Sequence, residues 1–159
     1  ADMPKFGVKF EVPRSFDTVE YYGRGEGENY PDFQLSSPVG IYRKRIKELS
    51  YPYLKPQEGG NRSDVKRLRL IDGTNGVSLR IAAVGRPLNF NATVYDTADF
   101  ETVRHNYELQ EKDTVNVMVG GYFGGIGSNS CGPRPFESYQ LNFDRELSFA
   151  FTVEAAKEE

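Results

Sequence analysis

A period of two in side-chain polarity runs through the chain and most constrains its fold. Val8, Phe10 and Val12 alternate with Lys9 and Glu11, and Leu68 and Leu70 alternate with Arg67 and Arg69. The same rhythm recurs at Val77–Ile81, Val115–Val119, Tyr139–Phe143 and Leu147–Val153. Successive residues of an extended strand point to opposite faces, so alternation places one set against a core and the other toward solvent. Six such runs, separated by many of the 16 glycines and 9 prolines, predict an all-β, antiparallel β-sandwich. Asp72-Gly73-Thr74-Asn75-Gly76 lies between two runs and has the residues a tight hairpin needs. Asp144-Arg145-Glu146 is the expected link between the last two strands. One segment breaks the rhythm: Asp96 or Thr97 can cap a helix, and Phe100 and Val103 would share a face, which predicts one short helix near 97–105.

The length of 159 residues fits a single domain over 1–159, with a tail frayed from about residue 154. No run approaches the ~18 apolar residues of a membrane span, and no basic-then-apolar leader opens the chain. The start at Ala1-Asp2-Met3 suggests a processed or excised piece. The net charge of −3 implies neither an acidic nor a basic partner. Residues 41–70 nevertheless carry nine basic and three acidic side chains, a local +6 against −9 elsewhere. Arg43-Lys44-Arg45 beside Tyr42, Tyr51 and Tyr53 has the charge and stacking groups of a nucleic-acid surface. No nucleic-acid-binding signature accompanies them, so the polar faces of strands are the expectation, with no nucleic acid and no membrane as partner.

Candidate chemistry is sparse. One cysteine, Cys131, excludes an internal disulfide and a multi-cysteine zinc site. His105 is the only histidine, and no Gly-x-Ser-x-Gly elbow occurs, so His105 reads as a helix-end residue bonded to backbone. No metal site and no cofactor are expected. The glycine-rich stretch from Gly120 toward Pro135 lacks a phosphate-loop pattern. It is either a tight crossover or a loop whose backbone approaches a ligand. Tyr21, Tyr22 and Tyr30 lie near Glu28 and Asn29, a mixture of aromatic faces and polar groups that suits a sugar, although such tyrosines also serve as core or corner residues. Asn61-Arg62-Ser63 and Asn91-Ala92-Thr93 are glycosylation sequons.

Four motifs in order resemble the C-terminal, small-chain region of family 2 glycoside hydrolases of the β-galactosidase type. They are Tyr22-Gly23-Arg24-Gly25-Glu26-Gly27-Glu28-Asn29-Tyr30-Pro31-Asp32; Pro52-Tyr53 with Pro56-Gln57-Glu58 and Asn61-Arg62-Ser63-Asp64-Val65; Pro87-Leu88-Asn89-Phe90-Asn91-Ala92 leading through Tyr95 and Phe100 to His105; and Gly125-Ile126-Gly127-Ser128-Asn129-Ser130-Cys131-Gly132-Pro133. The resemblance implies part of a galactose-mutarotase-like supersandwich belonging to a longer hydrolase. Its catalytic glutamates would lie in a separate barrel, so no catalytic residue is expected here. It also implies that the closing loop walls the sugar pocket, with Gly125, Gly127, Ser128, Asn129, Ser130 and Cys131 as loop residues. Cys131 stands where some relatives place a tryptophan. Tyr22, Glu28, Asn29, Tyr30 and Arg62 become candidate sugar or interdomain contacts. The implied partners are the catalytic barrel, other domains of the hydrolase and a galactoside-type sugar. A bacterial periplasm or cytoplasm both fit. A stand-alone carbohydrate-binding module and a mutarotase-like sugar epimerase using His105 are the competing readings.

Overall fold

The computed structural model describes residues 3–126, 134–142 and 144–157. Among the described residues nine strands make two antiparallel sheets. One sheet has the order β1 (Lys5–Pro13), β8 (Thr114–Phe123), β7 (Leu88–Thr93), β4 (Arg62–Val65). The other runs β3 (Val39–Arg45), β2 (Thr18–Arg24), β5 (Arg67–Ile71), β6 (Val77–Val84), β9 (Ala150–Lys157). The chain is thus the expected all-β sandwich.

The alternating residues set the register. Val12, Phe10 and Val8 lie opposite Val115, Val117 and Val119. Leu68 and Leu70 lie opposite Ile81 and Leu79. All of these but the half-exposed Val8 meet in one core with Val19, Tyr21, Leu88, Phe90 and Ala92. Each fully buried Val, Leu, Ile or Phe side chain there contributes on the order of 1.5–3 kcal/mol. Tyr21 of the five-stranded sheet packs edge-on against Phe90 of the four-stranded one, with ring centroids 5.1 Å apart. The 72–76 turn joins β5 to β6, closed by Asp72 N–H donating to the Val77 carbonyl at 2.8 Å.

The structure corrects the sequence reading in places. The expected strand over 139–143 does not form in its described part, 139–142: Glu137–Tyr139 is a 3-10 turn, and Leu141, 5 % exposed, is a single plug in the segment that follows. Its carbonyl accepts from Met3 N–H at 3.0 Å. The 144–146 link therefore leads into β9 alone, which begins at Ala150 rather than Leu147. β9 stays paired through Lys157, opposite Val77, past the position where fraying was expected. The helix shrinks to one turn, α1 (Asp99–Thr102), with Ala98 at its cap and no side-chain capping bond. Asp96 Oδ1 accepts from Ala98 N–H at 3.4 Å instead, a turn-forming contact. Gly120–Phe123 belongs to β8, not to the loop.

The basic stretch 41–70 divides between strand faces. Its charges meet carboxylates from elsewhere in the chain: Lys44 with Glu26 at 3.1 Å, Arg69 with Glu20 at 3.3 Å, Lys47 with Glu111 at 2.5 Å, and Arg45 with Asp17. The local +6 is thus largely countered by its neighbours. Among the described residues no helix is long and apolar enough to cross a membrane.

Candidate functional site

Three segments distant in sequence converge at one end of the sandwich: the turn after β2, the long connection from β3 to β4, and the exit of β8. The turn after β2 starts at Gly25, whose φ of +93° suits glycine; a Cβ there would lie 2.5 Å from Asn29 Nδ2. Asn29 is fully buried. Its Nδ2 donates to the carbonyls of Arg24 at 3.2 Å and Gly27 at 3.1 Å. Its Oδ1 accepts from Ser63 N–H at 2.8 Å and from the Ser63 hydroxyl. One side chain thereby folds the turn and ties it to β4.

Arg62 does the same for the neighbouring connection. It is 1 % exposed. Its Nη1 donates to the carbonyls of Gly60 at 2.9 Å and Leu49 at 3.3 Å, and its Nη2 to that of Glu26 at 2.9 Å. A buried charge is tolerated only when its donors are satisfied, and backbone carbonyls satisfy them here. Arg62 Nε also donates to the Tyr21 hydroxyl at 3.1 Å, which donates to the Gly25 carbonyl at 3.1 Å. Burial raises the Tyr21 pKa, and the nearby guanidinium opposes that rise.

Glu28 closes the cluster. Its Oε2 accepts from Gly60 N–H at 2.6 Å, and its Oε1 accepts from the Tyr53 hydroxyl. Tyr30, 7 % exposed, lies beside it. Burial, reinforced by the Glu28 charge, pushes the Tyr30 phenol well above its ordinary value.

The exit of β8 meets this cluster at Asp32. Ile126 N–H donates to Asp32 Oδ1 at 2.9 Å. A Cβ on Gly125 would fall 2.6 Å from the Asp32 carboxylate, so glycine is what lets the backbone come this close. Gly125 N–H donates to the Tyr139 carbonyl at 2.7 Å, and Gly124 N–H to that of Pro4 at 2.8 Å. A hollow of about 160 Å3 opens between the segments, lined by Lys5, Tyr30, Glu58, Asn61, Phe123 and Ile126.

The structure therefore brings Glu28, Asn29, Tyr30, Arg62 and Gly125 together, but in two roles. Asn29 and Arg62 are consumed internally and position the backbone, whereas Tyr30 lines the hollow. Tyr22 stands apart on the outward face of the five-stranded sheet, with Arg67 Cζ 5.5 Å and Lys66 Nζ 5.4 Å from its ring centre. Gly127, Ser128, Asn129, Ser130 and Cys131 lie outside the described residues. Asp32 and Glu58 stand in two of the quoted motifs but were not among the candidate contacts; the structure adds both, Asp32 through its bond from Ile126 N–H and Glu58 in the lining of the hollow. Asn61 and Asn91 are 1 % and 7 % exposed, which leaves neither sequon presented to a glycosylating enzyme.

His105 is exposed beside a 3-10 turn, stacked on Tyr107 with centroids 5.2 Å apart, and its N–H donates to Glu108 Oε2 at 3.0 Å. Among the described residues no three His, Cys, Asp or Glu side chains lie close enough together to hold a metal ion.

Comparison with known proteins accounts for these motifs. The profile of the family described as β-galactosidase small chain matches residues 1–153. The chain is 35 % identical over 151 residues to a β-galactosidase of Actinobacillus pleuropneumoniae, covering 95 % of this chain and 14 % of that protein. It is 31 % identical over 154 residues to one of Priestia megaterium, covering 96 % and 15 %. One of Lactobacillus delbrueckii subsp. bulgaricus is also 31 % identical, over 152 residues, with 96 % and 15 % covered. The chain thus spans about 15 % of the length of the curated relatives it matches. With that profile matched across residues 1–153, the chain belongs to the β-galactosidase small-chain family.

Proposed function

We propose that this chain is a non-catalytic domain of a β-galactosidase-type hydrolase, and that the end carrying Tyr30, Asp32 and Gly125 walls the sugar pocket of a separate catalytic domain. The observation that carries the reading is the Asp32–Ile126 bond. It fixes the start of a glycine-rich loop to a turn already held by Asn29 and Arg62, so the loop leaves a rigid base. A rigid wall helps a hydrolase by excluding water and holding the sugar in a reactive geometry. The chain's own side chains contribute shape and hydrogen-bonding groups there, and the bond-breaking carboxylates belong to the other domain.

A second observation supports membership in a larger assembly. Val8 and Val153 point to the core side of their sheets, opposite Val119 and Ile81. They are nevertheless 46 % and 55 % exposed, while Val119 and Ile81 are 0 % and 1 % exposed. Both lie on edge strands, β1 and β9. An inward-facing apolar row left open at an edge is what remains when a sandwich continues into further strands. The test is made in the full-length polypeptide. Replacing Asp32 with Ala is expected to lower kcat/KM for a nitrophenyl β-galactoside while leaving the melting temperature nearly unchanged. Unchanged kcat/KM would defeat the wall.

A further inference from the structure

The turn that joins β5 to β6 carries two dipeptides with the same latent chemistry. Asp72-Gly73 is the only Asp-Gly of the chain, and Asn75-Gly76 is the only Asn-Gly. A glycine in second place leaves its backbone nitrogen unshielded by a side chain, one ring closure away from the preceding side-chain carbonyl carbon. The surroundings of the two carbonyl carbons differ. Asp72 is 5 % exposed. Its Oδ1 accepts from Thr74 N–H at 2.8 Å and from the Thr74 hydroxyl at 2.6 Å, and its Oδ2 accepts from the Ser15 hydroxyl at 2.9 Å. These donors favour the ionised form, and an ionised carboxylate repels a nucleophile and offers no good leaving group. Gly73 N–H is also engaged, donating to the Ser15 carbonyl at 2.9 Å. Asp72-Gly73 is thereby closed to reaction.

Asn75-Gly76 is open. Asn75 is exposed. Its Oδ1 accepts from Val77 N–H at 2.9 Å. That donor draws electrons from the amide carbon and stabilises the negative charge that gathers on Oδ1 during an attack. Gly76 N–H donates to the Asp72 carbonyl at 3.2 Å, the long end of the N–H···O range. The φ of Gly76 is +71°, a conformation that a side chain would strain, so the turn itself calls for glycine at the nucleophile's position. One turn thus holds a polarised electrophile beside a weakly engaged nucleophile.

We propose that Asn75 is a site of spontaneous covalent modification, in which the Gly76 backbone nitrogen attacks the Asn75 side chain. Hydroxide takes the Gly76 N–H proton, the nitrogen bonds to Asn75 Cγ, and the carbonyl electron pair moves to Oδ1. Return of that pair breaks the Cγ–Nδ2 bond. Nδ2 leaves as ammonia with a proton from water, and a succinimide ring remains. Water then opens the ring. Cleavage of the Cγ–N bond gives aspartate, and cleavage of the backbone C–N bond gives isoaspartate. Over the whole sequence one water enters and one ammonia departs. The isoaspartyl product adds a methylene to the backbone of a turn that Asp72 N–H closes onto the Val77 carbonyl at 2.8 Å, so it loosens the link between β5 and β6. The proposal does not rest on the pocket-wall reading.

The test holds the purified 159-residue chain in mildly alkaline heavy-oxygen water, beside an end-blocked synthetic peptide of residues 74–78, and follows both by peptide mapping and mass spectrometry. The fragment carrying residue 75 is expected to lose ammonia and gain one heavy oxygen ahead of every other asparagine, and to split into two products of equal mass. Its rate should rise with pH in step with hydroxide. That rate should fall below the free peptide's by no more than roughly tenfold, the effect of holding Gly76 N–H in one exposed hydrogen bond. Asn75→Gln, one methylene longer at an exposed position, should keep the turn fragment a single species. Reaction that starts at another asparagine, or a rate further below the free peptide's, overturns the proposal. So does a split of the turn fragment in Asn75→Gln, which would mark Asp72-Gly73 as the reactive pair.

Discussion

Arg62 Nε donates to the Tyr21 hydroxyl at 3.1 Å, and this one bond joins the buried guanidinium of the four-stranded sheet to the inner face of the five-stranded one. Around it the same guanidinium donates to the carbonyls of four residues, Leu49, Gly60, Asn61 and Glu26. Arg62→Met should therefore cost at least about 3 kcal/mol. Arg62→Lys should recover little of it, because an ammonium cannot present the planar fork. Denaturant midpoints of the three proteins measure this, and a loss below about 1 kcal/mol in Arg62→Met would mean the network carries little stability.

Asn29 makes the second anchor. Asn29→Asp keeps the size but replaces Nδ2 with an oxygen facing the Arg24 and Gly27 carbonyls. Two lost bonds and that repulsion predict a destabilisation of roughly 2–4 kcal/mol. Asn29→Asp should lower the melting temperature well beyond the shift caused by Asn75→Asp on the exposed 72–76 turn, and differential calorimetry checks the comparison.

The pH dependence has a defined sign at each end. Asp72, held low by the Thr74 hydroxyl and N–H, and Glu111, held low by Lys47 and Arg14, favour the ionised form in the fold. Asp96 and Glu108 are lowered by backbone N–H groups of Ala98, and of Arg104 and His105. A lowered folded-state value gives stability above the unfolded carboxylate pKa of about 4, lost as pH falls through the folded values. Tyr21 and Tyr30 act in the opposite sense. Their raised values give stability that is full below about pH 10 and lost as pH climbs further. Of the ten tyrosines, these two should ionise only together with alkaline unfolding. Parallel ultraviolet phenolate titration and far-ultraviolet circular dichroism show whether they do.

The open edge makes a prediction that separates this chain from the proposed full-length hydrolase. Val8→Lys and Val153→Lys place charges on half-exposed positions and should change the stability of the 159-residue chain by less than about 1 kcal/mol. In the full-length polypeptide the same changes would bury a charge and should cut the yield of folded protein. Equal effects in both would show that the edge stays open.

How much of this was legible in the sequence follows from which faces were buried. β1, β5, β6 and β8 were readable because their inward residues are aliphatic and their outward ones charged or small. β3 was hidden because its pattern is inverted: as an edge strand it turns Val39 and Ile41 outward, 48 % and 66 % exposed, and Tyr42 inward. β4 was hidden because its inward residues are Arg62 and Val65, three positions apart, and the register shift between them, with Asp64 at a φ of +54°, breaks the period. The 139–143 run misled because one buried Leu141 imitates a strand. At the site, residue types pointed to Tyr30, Glu28 and Asn29, and motif resemblance added Arg62. Their division into positioning and lining residues depends on which donors meet which carbonyls, and no spacing rule carries that.

The central claim is that this chain shapes a reaction carried out by carboxylates elsewhere in a longer hydrolase. The direct measurement is nitrophenyl β-galactoside hydrolysis by three purified proteins: the 159-residue chain, the full-length polypeptide, and the full-length polypeptide lacking this segment. The account predicts no turnover by the chain alone, turnover by the intact protein, and a loss of most of it on removal of the segment. Turnover by the 159-residue chain, or full activity without it, would contradict the account.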